Sequence, residues 1–340
     1  MRVGVDARAL RAGRGVERYT RALLAALADG FPDDEWVAFV PGREPVAPVH
    51  VRVSVVRHRL GGRALFAAAA IARRPTLAAL AGGADVVWLP APAPVAPGAP
   101  YVLSIHDRSW ELRPRDFTVY ERAWHRLARP RRLAHRAAAV TAVSHAVAAD
   151  LASAWGVRAD VVSPGVNGFG GEGRAPAAAE PRRGRYLLFV GPREPRKAAD
   201  ILDAAYSQAR ARGLDAELVV VGDGGARVDD RELAALYAGA LAVVQPSFLE
   251  GFGLPPLEAA AYGTPAVVSA LDCFAETLGD AALRVAPGDA EALAEAMLRI
   301  ASDDALRARL GVAAQQRAAA YTWERSAAAL HALLVRAASA

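Results

Sequence analysis

The segment Glu250-Gly-Phe-Gly-Leu-Pro-Pro-Leu-Glu258 places two carboxylates on either side of a glycine turn that runs into a helix. Pro255 and Pro256 suit a first helical turn, where a missing N–H costs nothing. The amides of Phe252, Gly253 and Leu254 then lie just ahead of a helix N-terminus, a place that binds phosphates and hydroxyls well. Gly251 and Gly253 let a ligand come close to the backbone. Two carboxylates flanking such a turn can hold a sugar on one side and a ribose on the other. Taken alone, Glu258 also reads as a partner of the helix dipole, worth about 0.3–1 kcal/mol; spacing, glycines and position together favour the ligand.

A second cluster, Gly191-Pro-Arg193-Glu-Pro-Arg196-Lys197, follows the apolar run Tyr186–Val190. Cations at a strand end neutralise a diphosphate, and at ~4 Å in a partly shielded site each pair is worth about 4 kcal/mol before desolvation. Of the 41 Lys and Arg residues, Lys197 alone is Lys. An ammonium is a compact point charge and a guanidinium a broad fork, so the lone Lys reads as a geometric requirement. Arg193 and Arg196, in an arginine-rich chain, read equally as solvated charges. In the first half, His106-Asp107 ends the apolar run Tyr101–Ile105 and reads as either site or scaffold. Gly13-Arg-Gly15-Val-Glu-Arg18 opens a helix, but its approach is too long for a dinucleotide fingerprint. The other histidines, His125 and His135 included, read as surface.

These residues need strand ends to stand on. The first half alternates β-rich runs at 2–5, 36–40, 51–56, 85–89, 101–105, 139–143 and 160–163 with helical stretches at 15–29, 63–81, 116–136 and 145–155. The second half repeats the rhythm, with strands at 186–190, 217–221, 242–245, 265–269 and 282–285. Helices are expected there at 198–212, 230–240, 255–262, 272–279, 290–301, 304–320 and 323–338. This is the pattern of parallel sheets covered by helices, an α/β class. A Gly, Pro and Arg stretch without periodicity separates the halves. The expected organisation is a Rossmann-like domain over 1–168, a linker over 169–184, a second such domain over 185–320 and a terminal helix over 321–340. Two doubly wound domains are expected to face each other across a cleft, with ligand at the strand ends.

Composition removes other classes. The net charge is +5, and arginine is scattered through nearly every segment rather than gathered into one tail or stripe, so no nucleic-acid partner is expected. One cysteine permits neither an internal disulfide nor a zinc cluster. The start of the chain carries no leader pattern and no run reaches about 18 apolar residues, so a cytoplasmic location is expected. The chain contains no Asp-x-Asp, no phosphate loop of the Gly-x4-Gly-Lys-Ser/Thr kind and no Gly-x-Ser-x-Gly elbow. Cationic side chains must therefore do what a chelated metal does elsewhere, and no cofactor or metal is expected.

In these motifs the chain resembles the retaining glycosyltransferases of family 4, with their two-Rossmann GT-B architecture, over almost its whole length. Gly4-Val-Asp-Ala-Arg8, Gly15-Val-Glu-Arg-Tyr19, Ile105-His-Asp107, Val143-Ser144 and Ser163-Pro-Gly-Val-Asn167 match successive landmarks. So do Val190-Gly-Pro-Arg-Glu-Pro-Arg-Lys197, the stretch Gln245–Glu258, Ala261-Tyr-Gly-Thr-Pro265 and Glu276-Thr-Leu-Gly-Asp280. The Glu-x7-Glu element is the specific one. The resemblance implies metal-free transfer of a sugar from a nucleoside diphosphate, with retention, in polysaccharide biosynthesis or decoration of a small molecule. GDP-mannose is the favoured donor, because many relatives with the Pro-Arg-Lys loop use it. Glu250 would contact donor sugar hydroxyls, Glu258 the ribose, and Arg193 or Arg196 with Lys197 the diphosphate. His106 would sit by the donor sugar and the acceptor, with Asp107 on the acceptor side, and Gly15 would admit the phosphates.

The acceptor is expected to be a glycan, a lipid-linked sugar or a small molecule. The basic segment Arg122–Arg136, with Trp124, Leu127 and Leu133 interleaved and Pro130 interrupting it, reads first as a solvated helix face, and it also allows peripheral contact with an anionic membrane at its inner face. Glu17 stands where relatives usually carry a second glycine, and Arg193 where they are often apolar. Between Gly224 and Glu232 the chain is shorter than the family pattern by about a helix and a strand, in a region that usually helps hold the base. The alternative is thus an impaired, sugar-nucleotide-binding subunit. Lys197→Arg is expected to lose transfer while folding normally.

Overall fold

Runs such as Val86–Leu89 and Tyr101–Ile105 are apolar along nearly their whole length, the pattern of a strand covered on both faces. In the computed structural model of the chain both are fully buried within a parallel sheet. The structure describes all residues except 12–14, 43–44, 59–61, 63–67, 70–71, 168–184, 223–227 and 340, and the side chain of residue 11. The expected linker 169–184, Gly13, Gly224 and residues 63–67 and 70–71 of the expected helix over 63–81 lie outside the described residues. In the rest of that stretch 73–76 are not helical and a short helix, Leu77–Leu80, starts at a Thr76 side-chain cap, so the single helix expected there is not formed. The chain divides into two compact units, Met1–Gly165 with Trp323–Ala340, and Val166–Thr322.

Among the described residues, the first unit is built on strands β1 (Arg2–Asp6), β2 (Glu35–Pro41), β3 (Val53–His58), β4 (Val86–Leu89), β5 (Tyr101–Ile105), β6 (Ala139–Ala142) and β7 (Asp160–Val161). All pair in parallel, in the order β3-β2-β1-β4-β5-β6-β7. The order reverses between β1 and β4, which opens a crevice outside their carboxyl ends. Helix Gly15–Gly30 buries Tyr19, Leu23, Leu24 and Leu27. The last helix, Trp323–Ala338, packs against it and buries Leu330, Leu333 and Leu334.

The expected helical stretch 116–136 resolves into two helices, Val119–Ala128 and Pro130–Ala134, divided at the proline that interrupts it in the sequence. Between them Arg129 takes a left-handed conformation, φ 49°. Proline disfavours the α region for the residue before it and lacks the N–H that a continuing helix needs, so the chain turns at Arg129. The first of the two helices starts on a reciprocal Thr118–Glu121 capping box.

The second unit carries β8 (Tyr186–Val190), β9 (Glu217–Val221), β10 (Ala242–Gln245), β11 (Ala266–Ser269) and β12 (Ala282–Val285), parallel throughout in the order β12-β11-β10-β8-β9. Its core packs Leu187, Phe189 and Val244 of the sheet against Leu202, Leu293, Met297 and Ile300 of the helices Ala199–Ala211 and Ala290–Ser302. Here the reversal falls between β10 and β8, so the loops leaving these two neighbours border one crevice.

Candidate functional site

The loop after β8 reaches Lys197 through a short 3₁₀ turn, Pro195–Lys197, and the loop after β10 reaches Glu250. Side chains from the two loops meet: Lys197 Nζ donates to Glu250 Oε1 at 2.5 Å, and both are 9% exposed. The Phe248 amide donates to the Arg196 carbonyl at 2.9 Å, tying the loops through the backbone as well. Ser247 Oγ donates to the same Glu250 oxygen at 2.7 Å and accepts from Gln245 Nε2 at 2.9 Å. Burial would raise the Glu250 pKa, but the Lys197 ammonium and the Arg196 guanidinium outweigh it and hold the carboxyl below its ordinary value. The pair is therefore a fixed carboxylate and ammonium at the switch point of the sheet. Gln245 and Ser247 were not singled out from the sequence as site residues. A serine three positions before Glu250, at the end of a strand, is the signal that points to them.

Helix Leu254–Ala261 begins immediately beyond, with Pro255 and Pro256 in its first turn. Gly253 precedes it at φ 86°, and a Cβ there would lie 2.3 Å from Phe274 Cε1, so only glycine fits. No side chain caps this helix. The amides of Phe252, Gly253 and Leu254 donate to no other described residue. Such orphaned donors at a helix start attract anions. Gly251 is buried, and Phe252 packs edge-on against Tyr321 with ring centroids 5.5 Å apart. Glu258 is 3% exposed and accepts a hydrogen bond of 2.8 Å from the Tyr237 hydroxyl.

The two arginines separate. Arg193 pairs with Asp203, whereas Arg196 pairs with Glu194 at 2.9 Å and still acts on Glu250. Gly191 has φ 147°, and a Cβ on it would lie 3.7 Å from Lys197 Cε, so the lysine stem runs over this glycine. That setting changes the expectation for Lys197→Arg. A wider guanidinium between Gly191 and Glu250 overpacks a nearly buried site, at a cost of about 1–3 kcal/mol in stability.

In the first unit His106 leaves β5 and its Nε2–H donates to the Pro90 carbonyl at 2.8 Å. Its ring stands edge-on to Tyr19, centroids 4.7 Å apart. Burial, only partly opposed by that hydrogen bond and by Asp107, lowers its pKa and keeps the imidazole neutral. Asp107 accepts from the Ser109 amide at 2.8 Å and from its hydroxyl at 2.6 Å, holding the turn into Ser109–Leu112. Gly15 begins its helix exposed, and a Cβ there would meet nothing within 4 Å. Two histidines read as surface are not. His125 stacks on Trp110, centroids 4.7 Å apart, with burial lowering its pKa. His331 stacks on Phe31 at 3.5 Å and is hydrogen-bonded to Asp34 at 2.7 Å. Among the described residues no group of three or more His, Cys, Asp or Glu is placed to hold a metal ion, and no helix is long and apolar enough to cross a membrane.

Two family models match the chain in succession: Glycosyltransferase Family 4 over residues 13–167 and Glycosyl transferases group 1 over residues 225–317. The phosphatidyl-myo-inositol mannosyltransferase of Mycolicibacterium smegmatis is 34% identical over 165 residues, 42% of this chain and 43% of that protein. The D-inositol 3-phosphate glycosyltransferase of Salinispora arenicola is 31% identical over 213 residues, 50% of this chain and 48% of that protein. The matched region thus spans less than half the length of these curated relatives. Among solved structures, sucrose-phosphate synthase from Thermosynechococcus elongatus superposes with a TM-score of 0.74 at 22% identity, covering 98% of each chain; it shares the fold.

Proposed function

Since this chain belongs to glycosyltransferase family 4, of the mannosyltransferase-like kind with two Rossmann-like domains, we propose that it transfers a hexosyl group from a nucleoside diphosphate sugar to an acceptor hydroxyl. The observation that carries this reading is the conjunction, at the β8/β10 switch point, of three unpaired amides at a helix start with a carboxylate, an ammonium and a guanidinium. One half of such a site suits the phosphates of a donor and the other the hydroxyls of its sugar.

Transfer proceeds with retention and without a metal. As the bond to the anomeric carbon breaks, positive charge grows on the sugar and negative charge on the departing diphosphate. Lys197, Arg196 and the amides of Phe252, Gly253 and Leu254 stabilise the departing charge; one preorganised donor of this kind is worth about 2.7–4 kcal/mol. Glu250, held ionised, orients sugar hydroxyls, and Glu258 holds the ribose. The leaving oxygen takes the proton of the attacking hydroxyl on the same face, so no separate base is needed. His106, kept neutral, lies on the acceptor side. Mannose is the favoured sugar, in keeping with the M. smegmatis relative, and the acceptor is a glycan, a lipid-linked sugar or a small molecule. The protein works in the cytoplasm, with peripheral contact at an anionic membrane.

A second reading, a sugar-nucleotide-binding subunit without turnover, is favoured by the short connection from β9, ending at Val221, to the helix beginning at Asp230. One experiment separates the two. Donor hydrolysis and transfer are measured over a panel of GDP-, UDP- and dTDP-sugars for the wild type and Lys197→Ala. Turnover with one donor, reduced at least 100-fold in the variant by the loss of one such cation, supports transfer. No turnover with any donor overturns it, and nucleotide binding that persists then supports the second reading.

A further inference from the structure

Six arginines line one cavity of about 710 Å³ where the helices Val119–Ala128 and Pro130–Ala134 meet: Arg122, Arg126, Arg129, Arg131, Arg132 and Arg136. The volume falls within the roughly 300–1,000 Å³ of small-molecule sites. Arg126, Arg129, Arg131, Arg132 and Arg136 pair with no acid among the described residues. Glu111, the acid in the cavity wall, is already engaged by Arg108 at 2.7 Å and by the Trp155 indole at 3.0 Å. The crowding is felt: repulsion from Arg136, then desolvation, then repulsion from Arg129 and Arg73, holds the Arg132 guanidinium below its ordinary value. Uncompensated like charge works against the compact state, so a cluster of this kind needs a reason outside folding.

The wall carries a second signal. His125 Nδ1 and Trp110 Nε1, in the stacked pair that lines the cavity, are buried without a hydrogen-bond partner among the described residues. Buried polar atoms are satisfied in most native folds, and those that are not point to a group the chain does not itself supply. The break at Arg129 is what assembles the cavity. A continuous helix would spread these arginines along a rod; two short helices set them around a hollow.

We propose that this cavity binds a phosphate-bearing group and that the group belongs to the acceptor. Guanidinium forks match phosphate oxygens in pairs, which a flat cationic face does not do as selectively. The cavity lies close to His106: Trp110 is in the turn that follows His106-Asp107, and the charges of Asp107 and Arg8 both act on His125. Assignment of the anion to the acceptor rests on the glycosyl-transfer reading; the anion site itself does not.

The test titrates inorganic pyrophosphate calorimetrically, at low ionic strength, into the chain and into Arg126→Gln/Arg132→Gln/Arg136→Gln. A control carries Arg299→Gln and Arg309→Gln, two exposed arginines of the second unit. The expected result is binding roughly 10-fold weaker for each cavity arginine removed, with the control unchanged. The single variant Arg132→Gln relieves crowding, keeps the fold, and is read in the same way. Equal binding to the wild type and the cavity variants, or equal loss in the control, overturns the site. Co-sedimentation with phosphatidylcholine vesicles, with and without phosphatidic acid, separates the sources. Retention that needs phosphatidic acid and the cavity arginines assigns a lipid headgroup; pyrophosphate binding without retention assigns a soluble phosphorylated acceptor. Neither binding nor retention overturns the proposal. Titration with nucleoside diphosphates reports the donor site separately, so failure there sinks the transfer reading and leaves the anion site standing.

Discussion

A nearly buried ammonium is tolerated beside Glu250 because the carboxylate compensates it, and removing either partner leaves the other charge stranded, at about 3–5 kcal/mol. The Glu250 carboxyl sits below its ordinary value of 4.5, against the pull of burial, because of Lys197 and Arg196. A carboxyl lowered on folding contributes stability that is full above 4.5 and is lost as pH falls toward and through the lowered value. Glu250→Gln should thus be less stable than wild type at neutral pH and show a shallower loss below pH 4.5. Thermal unfolding across a pH series checks this, and parallel acid limbs would contradict it. Lys197 and Glu250 were legible in the sequence as charges at strand ends, from a composition with one lysine and from two carboxylates around a glycine turn. Their ion pair was not, because 53 positions separate them and only the β8/β10 pairing brings the loops together.

At the scale of the element, helix Leu254–Ala261 is the element on which the proposed donor site rests. Its start depends on Gly253, whose φ of 86° a side chain resists by about 1–2 kcal/mol. The clash of a Cβ with Phe274 adds an overpacking cost of about 1–3 kcal/mol. Gly253→Ala should therefore lose about 2–5 kcal/mol by denaturant unfolding, with weaker nucleoside diphosphate binding at temperatures where it stays folded. Stability within about 0.5 kcal/mol of wild type, the range of a neutral surface change, would remove the steric argument. The strands were readable as elements because apolar runs of four to seven residues have few other uses in such a chain. In the segment 116–136 Pro130 was legible as an interruption, but whether a proline kinks a helix or ends it depends on what packs around it, so the two separate helices were not. The same break made His125 unreadable, since a histidine in a basic stretch shows its stacking partner only once Trp110 is folded against it.

At the scale of the molecule, the chain ends in the unit where it began. Ser326 Oγ donates to the Ser163 carbonyl at 2.5 Å, His331 meets Asp34, and Leu330, Leu333 and Leu334 are buried within the first unit. Each such leucine contributes about 1.5–3 kcal/mol, and three approach the whole stability of a domain, about 5–15 kcal/mol. A chain ending at Thr322 should lose the cooperative unfolding of the first unit in calorimetry and keep that of the second. Two transitions at unchanged midpoints would show the terminal helix to be dispensable. Sequence alone determined the alternation of strands and helices, the parallel α/β class, the family and the residues at the strand ends, because those depend on local periodicity and on motifs contiguous in the chain. Tertiary structure decided which charges compensate one another, that Arg196 rather than Arg193 acts on Glu250, and that the arginines of 122–136 surround a cavity. Each of these is a distance between side chains far apart in sequence or across a break in a helix, and such distances exist only after the sheets have brought their loops together.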